Sequence, residues 1–281
     1  VSTEHLPTCP DRLLVQVINL DRSPDRLQRI AGRLKALGMI WERLAASDGR
    51  LLDLNDPALV DHAEFGRRHG KHPLAGELGC YLSHVRAIRR LLESKADVSL
   101  ILEDDAQLLD SLPGVVSGLM QCCADWDLVK LSGVHRGHPK RLRSLGDQHD
   151  LVVMLTRCTT SGAYMINRHA AQILADRLLP MRIPFDHEFD RGWHWGLKVR
   201  YAKPYPVEHD QTVASTINVA CAIPAVTPAA PATPAGPSLP HARSATNARF
   251  HWSRRLPAFG WRTRNEWARL RYGLKVWLKR A

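Results

Sequence analysis

The run 13–20, LLVQVINL, is the feature that most constrains what this chain can fold into. It is apolar and rich in β-formers, and it follows Pro10-Asp11, so it reads as a buried strand. Ser23-Pro24-Asp25 comes next, with Ser23 placed to cap a helix and Pro24 at the first helical position. Leu27, Ile30, Leu34 and Leu37 then keep helical spacing as far as Gly38, and 41–46 supplies a second strand. A strand–helix–strand opening of this kind is the usual start of an α/β domain.

The same periodicities carry on down the chain. Residues 55–73 are polar and irregular and read as loop with one helical turn. Residues 76–94 are the clearest helix, with Leu78, Leu82, Val85, Ile88 and Leu92 as its apolar stripe. Strands are predicted at 98–102, 127–131, 151–155, 163–166 and 199–202, and helices at 168–179 and 185–197. The composition changes at 222–241, which is almost all Ala, Pro, Thr and Val, with Pro228, Pro231, Pro234, Pro237 and Pro240 three residues apart. Polyproline II has about three residues per turn, so these prolines would line one edge of an extended rod. The expected organisation is a catalytic domain over 1–217, a Pro-rich linker over 218–242 and a C-terminal amphipathic tail over 243–281.

Charge follows the same division. Residues 243–281 carry eleven Lys or Arg against one acid, Glu266, for a net +10, whereas 1–242 carry 28 basic and 27 acidic residues. The basic character of the chain therefore belongs to its tail. In that tail Trp267, Leu270, Leu274, Trp277 and Leu278 share one helical face and Arg264, Arg271, Lys275 and Lys279 lie elsewhere, the pattern of an interfacial membrane helix. The six cysteines include no C-x-x-C pair, which fits reduced thiols. With no apolar signal region in 1–12 and no run of about 18 apolar residues, a cytoplasmic protein is expected, peripheral on the inner face of the membrane.

Four segments carry candidate chemistry. Glu103-Asp104-Asp105 directly follows a buried strand. Oxygen ligands at a strand's carboxyl end suit Mg²⁺ or Mn²⁺, although a solvated acidic turn reads the same way. In GELGCYLSH (76–84), Glu77, Cys80 and His84 share a helical face distinct from the apolar stripe, and the two glycines invite close backbone approach; a capped helix with a surface histidine is the alternative. NLDRSPDR (19–26) places Asn19, Arg22 and Arg26 between the first strand and helix, where anions are favoured. PFDHEFD (184–190) offers Asp186 as a general base, or simply acids at a helix start.

Taken together, VINLDRSPDR (17–26), GELGCYLSH (76–84), LILEDDA (100–106), TSGAYMINRHAA (160–171), IPFDHEFD (183–190) and YPVEHD (205–210) resemble glycosyltransferase family 25. The resemblance runs from about Arg12 to Ile217 and leaves the linker and tail outside it. It implies an α/β, GT-A-like fold with a mainly parallel twisted sheet flanked by helices. It implies inverting transfer of a hexose, galactose or glucose, from a UDP-sugar to a lipid-linked oligosaccharide such as lipopolysaccharide core. Glu103 and Asp105 would be metal ligands for Mn²⁺ or Mg²⁺, joined by His209, which stands where glutamine is more usual. Asp186 would be the base, and Asn19, Arg22, Arg26, Glu77, His84 and Asp104 would contact the donor. The tail would dock on an anionic membrane surface rather than on nucleic acid. The rival readings are a Mg²⁺-dependent phosphohydrolase and a nucleic-acid binder acting through the tail.

Overall fold

The computed structural model describes residues 12–135, 137–146, 148–209 and 245–279, and the side chains of all of these except 209 and 245–256. The Pro-rich linker expected at 218–242 lies outside the described residues. In chain order the elements are β1 (Leu13–Asn19), α1 (Pro24–Ala36), β2 (Glu42–Ala45), α2 (His62–His69), α3 (Ala75–Glu93) and β3 (Val98–Glu103). There follow β4 (Ala106–Leu108), α4 (Leu112–Gln121), β5 (Leu128–Lys130), β6 (Pro139–Gly146), β7 (His149–Met154) and β8 (Ala163–Asn167). The last are α5 (Arg168–Ala175), α6 (Phe185–Glu188), α7 (Gly192–Trp195), β9 (Val199–Lys203), β10 (Val207–His209) and α8 (Ala245–Leu278).

Eight strands form one sheet in the order β2-β1-β3-β8-β5-β9-β7-β6. β1 is parallel to both β2 and β3, and β5 to β9, while β8 and β7 run against their neighbours on both sides. All the other strands thus point one way, as the fold expectation required. Both faces are covered. α2, α3, α5 and α6 pack on one side, around Tyr81, Ile88, Ile101 and Tyr164; α1 and α4 pack on the other, around Leu34, Leu100, Leu119 and Trp126. Burial on two faces is why β1 and β3 read as continuous apolar runs rather than alternating ones. One polar residue interrupts the apolar run of β1: Gln16 Nε2 donates to the Ala87 carbonyl and the Ser99 hydroxyl, 2.9 Å each, tying β1 to α3 and β3, while its Oε1 has no hydrogen-bond partner.

Differences from the sequence-based expectation have local causes. The supposed loop at 55–73 contains α2, capped by Asp61 at its start and by Gly70 in the left-handed region at its end. It reads as polar because Phe65 and Gly66 are its buried residues. β6 is a mostly exposed edge strand whose polar sequence hides it, and α4 went unpredicted. The helix expected over 185–197 is two short helices, α6 and α7, with the buried Asp190 and Arg191 in the break between them.

The C-terminal helix α8 packs against α2, α7 and the β6–β7 hairpin. The face it buries contains Ala258, Arg269 and Gly273. Gly273 sits so close to β7 that a Cβ there would lie 2.7 Å from Leu155 and 3.3 Å from the Met154 carbonyl. The apolar stripe picked out in the sequence is divided: Leu270, Leu274 and Trp277 are half-buried, with Lys140 of β6 over the Trp277 ring, while Trp267 and Leu278 remain 62% and 63% exposed.

Candidate active site

β1 and β3 are parallel neighbours, paired Ile18 to Glu103 at their carboxyl ends. That edge of an α/β sheet is where ligands bind. The chain leaves β3 through Asp104 and Asp105 and returns as β4, which pairs antiparallel with β10. The pairing sets His209 opposite Ala106, one residue past Asp105. The His209 side chain itself lies outside the described residues.

The three acids divide in two directions. Glu103 turns toward α3 and β8: its Oε1 accepts from the Ser161 hydroxyl at 2.6 Å and lies 3.2 Å from His84 Nε2. The His84 ring is buried, stacks on Phe185 with centroids 4.3 Å apart, and has its Nδ1 3.2 Å from the Tyr164 hydroxyl. Asp104 and Asp105 turn toward α1. Asp104 accepts from Asn19 Nδ2 at 2.7 Å, and Asp105 from Arg26 at 2.5 Å. Arg26 Nε also lies 3.0 Å from Asp104, yet it makes no aligned hydrogen bond there, so this contact is one of charge. Burial pushes the Asp104 carboxyl up, opposed by the Asn19 hydrogen bond and the Arg26 charge. Asn19, itself buried, also donates to the Ser23 carbonyl at 2.9 Å and accepts from Arg43. It straps the first loop to the acid turn. Arg26, expected at the nucleotide, has its guanidinium on Asp104 and Asp105. Arg22 pairs with Asp48 in the loop after β2 and is more exposed.

Asp186 enters from α6, directly after the Phe185 that stacks on His84. It lies close enough to Glu77 and Cys80 for its charge to raise both of their acidities' midpoints, after burial, which is the larger cause in each. Glu77 accepts the Leu74 N–H at 2.9 Å, so it caps α3 as well as facing Asp186. Gly79 lets α3 approach the backbone of the preceding loop: a Cβ there would stand 2.7 Å from both Gly49 N and the Ser47 carbonyl. The fold thus gathers Glu77, His84, Glu103, Asp105 and Asp186 from three separate segments. Carboxylate oxygens suit a hard divalent cation. Glu103 and Asp105 are the more open of the three, with side chains 24% and 23% exposed against 10% for Asp104. Their carboxylate chemistry is of the kind that suits Mg²⁺ or Mn²⁺, but the two turn apart, Glu103 toward Ser161 and His84 and Asp105 toward Arg26.

Residues 14–139 match the family model described as glycosyltransferase family 25 (LPS biosynthesis protein). Over this part, a little under half of its length, the chain is similar to glycosyltransferase family 25. Among curated family 25 relatives, it is 28% identical over 204 residues to procollagen galactosyltransferase 1 of Danio rerio, covering 69% of this chain and 32% of that protein. It is 26% identical over 187 residues to a glycosyltransferase 25 family member of Aedes aegypti, covering 61% and 29%. Over 135 residues it is 28% identical to procollagen galactosyltransferase 2 of Homo sapiens, covering 44% and 22%. The chain spans about a third or less of the length of these relatives.

Three contributors to this candidate site carried no assigned role in the sequence reading. Ser161 and Tyr164 hold Glu103 and His84, and Arg43 holds Asn19. Ser161 and Tyr164 lie in the block 160–171, so their presence was visible; that β8 lies beside β3 and delivers them there was not.

Proposed function

We propose that this chain is a metal-dependent, inverting hexosyltransferase that moves galactose or glucose from a UDP-sugar onto a lipopolysaccharide core or similar surface glycan. The observation that carries the reading is that Glu103 and Asp105 at the end of β3 and Asp186 of α6 all act electrostatically on Cys80 of α3, in a chain similar to this family. The names of two relatives favour galactose as the donor sugar. A bound Mn²⁺ or Mg²⁺ would neutralise the diphosphate as it departs. Ser161 and His84 hold the Glu103 carboxylate in place, and Asn19 and Arg26 brace the turn that presents Asp105. Arg22, at the exposed rim, is placed to pair with a phosphate. Asp186 takes the proton of the acceptor hydroxyl as its oxygen attacks the anomeric carbon. Holding the two reactants in line supplies much of the remaining acceleration.

The acceptor is proposed to sit at an anionic membrane surface, where α8 docks. The support is the exposed Trp267 and Leu278 with the exposed Arg264, Arg271 and Lys275 beside them. Basic side chains near anionic lipid contribute about 1 kcal/mol each. No helix among the described residues is long and apolar enough to cross a membrane.

The test is a donor screen with Mn²⁺ and Mg²⁺ that reads nucleotide release with and without extracted core oligosaccharide. Release that requires the oligosaccharide supports the reading. Phosphate release from nucleotides without acceptor would replace it with the phosphohydrolase. Sedimentation with anionic vesicles, lost in Trp267→Glu/Leu278→Glu, tests the membrane component separately. A DNA shift in place of vesicle binding would assign the tail to nucleic acid.

A further inference from the structure

Glu103 faces away from Asp104 and Asp105, and what it faces is chemically different from an oxygen-only site. Cys80 Sγ, a His84 ring nitrogen and a Glu103 carboxylate oxygen all lie within 4.8 Å of one another. Cys80 and His84 are four residues apart on α3, the spacing that puts two ligands on one helix face. We propose that Cys80, His84 and Glu103 form a second cation site, for a borderline-soft divalent ion of the zinc class, which shares Glu103 with the acid turn.

The geometry suits such an ion. Zinc bonds of about 2.0–2.1 Å to nitrogen and oxygen at a tetrahedral angle put those two ligand atoms about 3.3 Å apart. His84 Nε2 and Glu103 Oε1 are 3.2 Å apart. Two of the three ligands are held from outside. The Tyr164 hydroxyl meets His84 Nδ1, the Phe185 ring stacks on the imidazole, and the Ser161 hydroxyl donates to Glu103. An oriented outer partner on the far ring nitrogen is the usual support of a metal-bound histidine. A thiolate and an imidazole among three ligands select zinc-like ions over Mg²⁺, which prefers oxygen throughout. Three protein ligands leave a fourth position for water or a substrate oxygen.

The protons balance simply. The Cys80 thiol loses its proton to solvent as sulfur binds the ion. The neutral His84 ring moves its proton from Nε2 to Nδ1, where the Tyr164 oxygen accepts it. No redox change occurs. An ion held here occupies Glu103, so zinc competes with any hard cation that uses the same carboxylate.

The site is tested without measuring transfer, so its failure leaves the proposed function standing. Co²⁺ is added to the full chain, and thiolate-to-cobalt charge-transfer absorption in the near ultraviolet is followed, with far-ultraviolet circular dichroism as the control for folding. The expected result is one such band at one equivalent of Co²⁺, displaced by Zn²⁺ and lost in Cys80→Ser. It is kept in Cys123→Ser and in Asp105→Asn. Tyr164→Phe should weaken Zn²⁺ binding about 10-fold. No band in the wild-type chain, a band that survives Cys80→Ser, or a band lost with Cys123 would each overturn the proposal.

Discussion

Two clusters of charge sit in this molecule, and they are built on opposite principles. One surrounds Asp190. Tyr201 donates to one of its carboxylate oxygens and Arg269 of α8 to the other, and Lys130 stands 3.7 Å away. Lys130 donates to the Cys158 carbonyl at 2.7 Å and lies over the Phe189 ring. All of these side chains are buried, and burial lowers the pKa of the Lys130 ammonium, with the Asp190 charge opposing. The other cluster is Glu103, Asp104 and Asp105 with Arg26. Two of its carboxylates are open to solvent in part. The closed cluster sets two buried cations, Lys130 and Arg269, on the one buried carboxylate of Asp190, and Arg269 Nε has no hydrogen-bond partner there. The open one leaves Glu103 and Asp105 in part in solvent, 24% and 23% exposed. Burial, rather than the number of charges, is what separates the two networks.

The sharpest way to break this comparison is at Asp190. Removing one partner of a buried ion pair typically costs about 3–5 kcal/mol, because the other charge is left in a dry site. Asp190→Ala strands Arg269 and Lys130 together, so it should lower unfolding free energy in urea by about that amount. A loss under about 1 kcal/mol would mean that water reaches the site and that the two clusters do not differ as described. The converse substitutions are Glu103→Gln and Asp105→Asn. They should leave the urea midpoint nearly unchanged and lower transfer by about 10²–10³-fold, the usual effect of deleting one group that stabilises transition-state charge. Retained transfer in both variants would refute their role at the leaving group.

How much of this was legible follows from the same contrast. β1 and β3 were readable because burial on both faces leaves a largely apolar run, and the acid turn was readable because three acids after such a run are unusual. Asp190 was in view, in the block 183–190, but nothing local distinguishes an acid that will be buried against Arg269, 79 residues away, from one that stays in water. α8 misleads for the same reason. Its docking face is built of Ala258, Asn265, Arg269 and Gly273, which look like a polar face, while Trp267 and Leu278 look like a core and stay exposed. The meeting of Asp186 with Glu77 and Cys80 depends on α6 packing on α3, which no helical wheel contains.

A gentler perturbation of the closed cluster goes through packing rather than charge. Gly273 brings α8 into contact with β7, and a larger side chain there meets Leu155 and the Met154 carbonyl. Gly273→Val should cost about 1–3 kcal/mol, the range for overpacking. Trp267 and Leu278 on α8's exposed side are untouched by it, so vesicle binding should outlast the loss of stability. Thermal melting and vesicle sedimentation on the same variant separate the two faces of the helix; parallel losses would make them one function.

The smallest predicted effect lies at the seam between the clusters. The rings of His69 on α2 and His187 on α6 are 5.5 Å apart, and Arg262 of α8 donates to the His69 carbonyl at 2.6 Å. Burial, with the charges of His187, Lys71, Arg262 and Arg157 behind it, holds His69 down to about 3. Burial likewise lowers His187, against the pull of Asp186. His69 therefore stays neutral in the folded protein at pH values where it would be protonated in the unfolded chain, near 6.5. Its contribution to stability is complete above pH 6.5 and drains away as the pH falls from there toward 3, since the unfolded chain then binds a proton that the folded one refuses. The slope is at most about 1.4 kcal/mol per pH unit. Between pH 7 and 5.5 the urea midpoint of the wild-type chain should fall more than that of His69→Gln, by a difference on the order of 1 kcal/mol in unfolding free energy. Equal slopes would mean that His69 is hydrated in the folded state, and that the seam joining the sealed cluster to the open one admits water.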